Sequence, residues 1–214
     1  MRQQELRFGG RGGRREGAGR PKTNPEAESH ARRAPLSRHH PVHVTLRVQR
    51  GLPRLRNGVA FRALRRAFAG GCERSGFRLV HFSVQRDHVH LIAEGDDRRS
   101  FVGGLRGLGV RIARVLNRLW RRRGRVLGDR PHEHVLRTPL EVRRALVYVL
   151  QNARKHRSWS GHGRTDPLSS AQWFDGWRVA VERENRAPTV ARACSWLLRI
   201  GWRRHGLLSL DEAP

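Results

Sequence analysis

Cysteine, lysine, tyrosine and acidic residues are all scarce in this chain of 214 residues. The two cysteines, Cys72 and Cys194, lie far apart, and neither belongs to a Cys-x-x-Cys pair. A disulfide framework and a cysteine-based structural zinc site are therefore not expected. The two thiols suit a reducing cytosol.

Long apolar runs are also missing. No stretch approaches the roughly 20 apolar residues that a membrane-spanning helix requires. The N-terminal sequence MRQQELRFGGRGGRREG is basic but lacks the apolar segment of a signal peptide. We therefore expect no membrane partner and no secretion signal.

Acidic residues are outnumbered by basic ones. The chain has 45 Lys and Arg against 18 Asp and Glu, which gives a formal net charge of +27. Such an excess indicates a polyanionic partner, and nucleic acid is the first candidate. Lysine occurs only at Lys22 and Lys155, so the charge is almost wholly arginine. Arginine suits phosphate binding and base stacking, although a GC-rich genome would also favour arginine codons.

Composition divides the chain into three parts. Residues 1–38 are rich in Gly, Arg, Pro and Glu and have almost no periodic apolar residues, so we predict a disordered basic arm. Residues 39–156 carry the regular patterns of one folded domain. Residues 157–214 form a tryptophan-containing extension. We expect its tryptophans to pack onto the domain; the alternative is that they bind DNA bases.

The periodicity of the domain predicts an α+β fold. Alternating apolar residues predict strands, and apolar residues at helical spacing predict helices. The order is βαββαβ plus one further helix, which is a ferredoxin-like or RRM-like antiparallel sheet with two helices on one face. The extra helix is then free to cover the other face. Strands are predicted at 42–48, at 77–85, after the turn Arg86-Asp87 and at 125–136, with Val80, Phe82 and Val84 of the second strand facing inward. Helices are predicted at 58–74, 96–123 and 139–156. The last helix begins with a capping box of Thr138 and Glu141.

Two histidines have the spacing of one strand face. In RDHVHLIAEG (86–95), apolar and polar residues alternate, so His88 and His90 project to the same side. In the last helix, Tyr148 and Asn152 are four residues apart and share a face. If that helix crosses the sheet face carrying the histidines, one pocket holds two imidazoles, an amide oxygen and a phenol. This set suits metal-assisted phosphoryl transfer with a tyrosine nucleophile.

Tyr148 is the only tyrosine in the chain. At about 100° per residue, it falls beside the apolar stripe of its helix rather than inside it. A purely structural tyrosine would more often lie inside the stripe with its hydroxyl at the rim. The offset favours a role in a site.

The His-hydrophobic-His strand followed by a helix with Tyr-x-x-x-Asn resembles the single-tyrosine transposases of the HUH endonuclease superfamily. Within it, the likeness is closest to the group associated with repetitive extragenic palindromes (REPs). The supporting segments are HPVHVTLRV (40–48), FRLVHFSVQRDHVHLIAEG (77–95) and RTPLEVRRALVYVLQNARKH (137–156). The resemblance covers about His39 to His156, which is over half of the chain.

The resemblance implies a function and a set of roles. Tyr148 would be the nucleophile that forms a 5′-phosphotyrosine intermediate, and His88, His90 and Asn152 would bind Mg²⁺ or Mn²⁺. The substrate would be single-stranded DNA with hairpins or palindromes, cut and rejoined by a monomer or homodimer in the bacterial cytoplasm near the nucleoid. Many relatives have Gln at the position of Asn152. Candidate DNA contacts are Arg47, Arg121, Arg122, Arg123 and Lys155.

Several residues, and the protein as a whole, keep a second interpretation. Asp87 either orients a histidine or only forms the turn. Glu133 and His134 could add to the site. A second metal cluster at the start of the first strand is less expected than capping, stacking or phosphate contact by the same residues, His39, His40 and His43. The alternative to an enzyme is a catalytically inactive, domesticated protein that binds nucleic-acid hairpins. A relaxase-type nuclease would usually carry a third metal-binding histidine.

Overall fold

The computed structural model describes residues 35–128, 130–155, 161, 164–183, 185 and 187–213. Of the predicted N-terminal arm, 1–34 lies outside these residues. Leu36 is 7% exposed and packs into the core. The last four residues of the predicted arm therefore belong to the folded part of the chain.

The described residues form one antiparallel sheet of five strands. In space the strands run in the order β2-β3-β4-β1-β5. The β3–β4 hairpin lies next to β1, so the histidine strand β4 is inside the sheet and not at its edge. The strands are β1 Val42–Arg47, β2 Glu73–Arg74, β3 Phe77–Val84, β4 His88–Gly95 and β5 His132–Val135.

Three long helices surround this sheet. They are α1 Gly58–Ala69, α2 Arg98–Leu119 and α3 Pro139–Lys155. The predicted capping box of α3 is confirmed, since the Glu141 amide donates to the Thr138 hydroxyl and the Thr138 amide donates to the Glu141 carboxylate. In the described part of the chain, no helix has the length and apolar character needed to cross a membrane.

Both faces of the sheet are covered. On one face, Val44, Phe82 and Leu91 belong to a core cluster with residues of α1 and α2. On the other, Val80 and Ile92 pack with α3 and the C-terminal segment. Residues that alternate with Val89 and Leu91 on β4, His88 and His90 among them, therefore face α3. The predicted placement of α3 over the histidine strand agrees with this arrangement.

Several predicted boundaries and orientations were wrong. Helix α1 ends at Ala69, where Gly70 and Gly71 follow, and the exposed strand β2 was not expected. Helix α2 covers 98–119, not 96–123, and the last strand is 132–135, not 125–136. In the described part of 125–131, Leu127 forms an isolated bridge to Val48, the residue after β1.

Val80 was predicted to face the same way as Phe82 and Val84, but it packs on the α3 side. The ladder between β3 and β4 shifts register between Leu79 and His81. Such a β-bulge places two residues opposite one and reverses the alternation of side chains. After the bulge, the side chains of β3 alternate so that Ser83 lies on the same face as His90.

The described part of the C-terminal extension packs against α3. Trp177 and Trp202 are 8% and 1% exposed and lie in the same cluster as α3. A short helix, α4 Trp196–Arg199, lies in this segment. Arg56 fixes the start of the extension through two hydrogen bonds to the buried Asp166 carboxylate, at 3.0 and 2.8 Å. Trp159 lies outside the described residues.

The buried His81 makes folding stability depend on pH. Its Nδ1 is 3.3 Å from the Ser170 hydroxyl, and its ring meets Phe174 edge-on at 5.4 Å. Burial lowers the pKa of His81 to about 4, against a small opposing effect of Asp175. Because the folded state binds fewer protons than the unfolded state, this contribution is complete above about pH 6.5 and is lost as the pH falls towards 4.

We therefore expect the free energy of unfolding to fall between pH 7 and pH 4.5, with on the order of 2 kcal/mol of the loss due to His81. Denaturant titrations at both pH values measure the difference. His81→Gln should reduce that difference, whereas His205→Gln at an exposed position should leave it unchanged. Equal pH dependence in both variants would show that His81 carries no such linkage.

Candidate active site

Two histidine rings meet on the α3 face of β4. The Nε2 atoms of His88 and His90 are 3.0 Å apart, and the two rings are nearly perpendicular, with centroids 4.7 Å apart. His90 is only 4% exposed. The rigid strand therefore directs two imidazole nitrogens towards the same point, as the spacing of two residues predicted.

The other ring nitrogens of both histidines have partners. Asp87 Oδ1 lies 2.7 Å from His88 Nδ1. His90 Nδ1 lies 3.2 Å from both the Thr45 hydroxyl and His43 Nε2. A hydrogen bond at Nδ1 fixes the ring and leaves the Nε2 lone pair for a ligand, which is the usual arrangement around metal-binding histidines. These contacts favour the orienting role for Asp87 over a turn-forming role alone.

The charge of Asp87 is also stabilised. Partial burial raises the pKa of the Asp87 carboxyl, but the hydrogen bond and charge of His88 and the charge of Arg47 lower it further, so its pKa lies below the ordinary value. Asp87 is thus a carboxylate at neutral pH and can accept a hydrogen bond from the N–H group at His88 Nδ1.

Tyr148 lies over the histidines of its own chain. Its ring centroid is 5.0 Å from that of His90 and 5.6 Å from that of His43, and both contacts are edge-on. Its neighbours Val147 and Val149 are buried, whereas Tyr148 is only partly buried. Helix α3 therefore holds the phenol beside the imidazole pair while its apolar stripe packs elsewhere.

Asn152 is fully buried one turn after Tyr148. Neither its amide oxygen nor its amide nitrogen has a hydrogen-bond partner in the described structure. Leaving a buried polar group without a partner costs about 1–3 kcal/mol. Such groups are rare in folded proteins and occur where a ligand or a catalytic role explains them.

Gln85 is a second buried amide near the histidines, and the sequence did not indicate it. It lies opposite His88, whose carbonyl accepts from the Gln85 amide at 2.9 Å, and its side chain donates to Ser83, which lies opposite His90. The Gln85 Oε1 atom has no partner in the described structure. The only signal in the sequence is that Ser83 and Gln85 are polar residues on the same strand face as the histidine pair.

His43 also lies beside His90 and Tyr148, although the sequence suggested capping, stacking or phosphate contact for it, with a separate metal cluster as the less expected alternative. Burial, together with the charges of His132 and His134, lowers the pKa of His43 to about 4. In the part of the chain described here, no three His, Cys, Asp or Glu side chains are arranged to hold a metal. The second cluster considered for His39, His40 and His43 is therefore not formed.

The predicted DNA contacts have different positions. Arg47 is exposed and lies opposite His88 in the β1–β4 ladder, so it is at the site. Arg122 bonds Asn117 and the carbonyl of Arg125, which makes it part of the turn after α2. Arg121 and Arg123 are exposed on the same turn. Lys155 is the last residue of α3, and its side chain is not among the described ones.

Glu133 and His134, the two residues of β5 that could have added to the site, lie on opposite faces of the sheet. Glu133 pairs with Val44 and binds Arg98 of α2 at 2.6 Å, so it faces the opposite side of the sheet and is not part of the site. Its proposed contribution was wrong because strand register, not sequence distance, decides the face. His134 pairs with His43 and remains on the α3 side.

The two histidines have the spacing of adjacent ligands on a divalent cation, and the Asn152 side chain is a further buried donor without a partner within the described part of the chain. Adjacent ligands around an octahedral ion with bonds of about 2.1 Å lie about 3.0 Å apart. The two Nε2 atoms have that separation, 3.0 Å. A cation would also give the buried Asn152 oxygen the partner that it lacks. Two imidazoles with one amide oxygen form a donor set of intermediate hardness, and the resemblance to single-tyrosine transposases implies Mg²⁺ or Mn²⁺ as the ion.

Comparison with known proteins identifies similar solved structures. No family model matches the chain, and no curated protein matches it. The chain is similar to the structure of a REP-associated tyrosine transposase bound to a REP hairpin, with 20% sequence identity and a TM-score of 0.50. The similarity covers 67% of this chain and 82% of that chain. The two proteins share a fold. This likeness supports the α+β prediction of an antiparallel sheet flanked by helices.

Proposed function

We propose that this protein is a DNA transposase that cuts and rejoins single-stranded DNA next to hairpins or palindromes. The observation that supports this most is the placement of Tyr148, whose ring lies 5.0 Å from His90, which in turn meets His88. A tyrosine hydroxyl beside a paired-imidazole site is what a tyrosine-nucleophile nuclease requires. The fold shared with a hairpin-bound transposase agrees with this assignment. In finer detail, we assign the domain as ferredoxin-like and the protein to the single-tyrosine HUH type.

In the proposed reaction, Tyr148 is the nucleophile. Its hydroxyl loses its proton and attacks the phosphorus of the scissile phosphodiester, the bond to the 3′ oxygen breaks, and that oxygen takes up a proton. The products are a 5′-phosphotyrosine and a free 3′-hydroxyl. Because the new bond is also a phosphodiester, a 3′-hydroxyl can reverse the step on another strand without ATP.

His88, His90 and Asn152 would hold the cation. When bound, Mg²⁺ or Mn²⁺ polarises the phosphate oxygens and helps align the phosphate with the nucleophile. Asp87 and Thr45 keep the two imidazoles oriented through their Nδ1 atoms.

Arginine would supply affinity for the DNA backbone. The net charge of +27 favours binding to any nucleic acid. Arg47 is placed to meet phosphate at the site, and Arg121, Arg123 and Lys155 are proposed as further contacts. Arg122 is a weaker candidate because it bonds its own turn.

A single chain supplies every residue of the proposed site. Tyr148 contacts the histidines of its own chain. This arrangement supports a monomer that acts alone over a dimer that exchanges tyrosine helices. We place the protein in the bacterial cytoplasm near the nucleoid, with a transposase domain at 39–156 and a packed extension at 157–214.

The function is tested with single-stranded oligonucleotides that carry a palindromic hairpin and the sequence beside it. With Mn²⁺ or Mg²⁺, the full chain should cleave them and form an adduct that survives denaturing electrophoresis. A protein that only binds hairpins would shift the same oligonucleotides in a native gel and form no adduct with either metal. Such a result would exclude the enzyme and favour the domesticated binding protein.

Asn152→Ala should separate stability from activity. Removing two unpartnered polar atoms from the core is expected to raise the free energy of unfolding in the absence of metal by about 1 kcal/mol. Cleavage should nevertheless fall at least about tenfold, since even the loss of a residue that only orients a metal ligand costs 10–100-fold. Thermal unfolding in chelator and single-turnover cleavage measure the two effects.

Gln151→Ala is the matched control. Gln151 is also buried with an unpartnered oxygen, but its amide nitrogen donates to the Ser209 carbonyl at 2.7 Å. This variant should lose stability and retain cleavage. If Asn152→Ala instead loses stability and retains full activity, Asn152 has only a structural role.

A further inference from the structure

A cavity of about 550 Å³ opens beside Tyr148. Tyr148 and His43 form part of its wall, whereas His88, His90 and Asn152 do not line it. The phenol therefore stands between the imidazole pair on one side and open space on the other. The remaining walls come from β5, the first half of α3 and the end of the chain: His134, Leu136, Glu141, Arg143, Arg144, Ala145, Val147, Glu212 and Ala213.

We propose that this cavity receives one nucleotide of the DNA strand, the one directly next to the scissile phosphate. The inference rests on the proposed function. A phosphorus atom in reach of the Tyr148 hydroxyl carries a nucleotide on each side. The cation ligands occupy one side of the phenol, so the strand leaves the reacting phosphate on the other side, where the cavity begins.

The walls suit a nucleobase. Leu136, Ala145 and Val147 supply apolar surface for the base faces. The His43 ring, which lines the cavity next to Tyr148, offers an aromatic edge. Ligand cavities commonly have 300–1,000 Å³ and mainly apolar walls with a few polar groups, and this cavity lies within that range.

The charges around the cavity suit the flanking phosphates. Arg144 is exposed and lines the cavity. Both carboxylates in the wall are already engaged: Glu141 accepts from the backbone amides of Arg137 and Thr138. Glu212 accepts two hydrogen bonds from Arg143, at 2.5 and 3.0 Å. Their negative charge is therefore offset, and Arg144 adds the positive charge that a phosphate contact needs.

The test uses the full chain and single-turnover cleavage of the palindrome oligonucleotides. Substrates that lack the base at either nucleotide next to the cleaved bond are compared with the intact strand. One of the two abasic substrates should bind about tenfold more weakly, as stacking of one base contributes about 5- to 150-fold. The cleavage rate at saturation should change less than the apparent affinity. The other abasic substrate should show a smaller effect.

Two variants locate the base within the cavity. Arg144→Ala should raise the apparent KM about tenfold with little change in kcat, whereas Arg137→Ala, which removes an equally exposed arginine outside the wall, should change neither. Ala145→Leu, which narrows the cavity, should slow cleavage of the intact strand. For the abasic strand, the variant should cleave at the same rate as the wild-type protein. Such non-additivity indicates contact between the two changed groups.

The outcomes separate the two claims. If the wild-type protein forms no adduct, the proposed function fails. If it forms the adduct but tolerates both abasic substrates, or if the Ala145→Leu and abasic effects simply multiply, the cavity does not hold the base. Should Ala145→Leu fail to fold, the abasic substrates and the arginine pair still decide the question.

Discussion

Tyr148→Phe should abolish the covalent protein–DNA adduct and reduce strand cleavage by about a thousandfold or more, as expected when a nucleophile is removed. The substitution deletes one oxygen atom and keeps the ring that meets His43 and His90 edge-on. Packing should therefore change little. Denaturing electrophoresis of the labelled oligonucleotide with the variant measures adduct and cleavage together.

The control for this prediction is DNA binding. Tyr148→Phe should bind the hairpin with the affinity of the wild-type protein and unfold at nearly the same temperature. An adduct that persists in the variant would show that another residue is the nucleophile. A variant that loses hairpin binding as well would show that the hydroxyl acts in recognition instead.

The second large effect is expected at the histidine pair. His88→Ala and His90→Ala should each lower metal-dependent cleavage at least a hundredfold, because each removes one of the proposed ligands. Loss of a residue that only orients a metal ligand already costs 10–100-fold, and loss of the ligand itself should cost more. Each should also weaken Mn²⁺ binding in calorimetry. Hairpin affinity measured in chelator should remain, since the arginines carry it.

His132→Ala is the matched control for the pair. His132 lies on the same sheet face, opposite Thr45, but is exposed at the sheet edge. Its removal should change Mn²⁺ affinity and cleavage by no more than about twofold, within the ±0.5 kcal/mol usual for surface substitutions. If all three variants behave alike, the effect is a general property of the histidine-rich face and the proposed ligand pair is wrong.

The features that the sequence predicted well are local. Helix α3 was expected at 139–156 and observed at Pro139–Lys155, since the capping box of Thr138 and Glu141 marks its start. Tyr148 and Asn152 share a face because they are four residues apart in a helix. His88 and His90 share a face because they are two residues apart in a strand. None of these relations depends on distant parts of the chain.

The features that were missed depend on distant pairing. Strand β5 is short because a strand needs a partner, and β1 pairs with only 132–135 in a regular ladder. Gly124, with φ of 99°, and Pro131, which lacks an amide donor, interrupt the segment before it. The bulge after Leu79 and the placement of Glu133 on the α2 side of the sheet are likewise properties of the ladder, not of the local sequence.

The same limit applies to the site. Gln85 and His43 join the histidine pair only through the registers of β3 and β1 with β4. In the sequence, His43 is one of several polar residues that alternate along its strand and Gln85 precedes the turn at Arg86, so neither position by itself indicates a role in the site. The approach of α3 to β4, by contrast, was expected from the order of elements and from the resemblance to known transposases.

The central claim is that Tyr148 becomes joined to the 5′ end of the cut strand. The most direct measurement is mass spectrometry of the protease-digested adduct formed with Mn²⁺. We expect the peptide containing Tyr148 to carry a nucleotide through a 5′ phosphate, and the released strand to end in a 3′-hydroxyl. A nucleotide on any other residue, a 3′-phosphate linkage or free ends with no modified peptide would contradict the account.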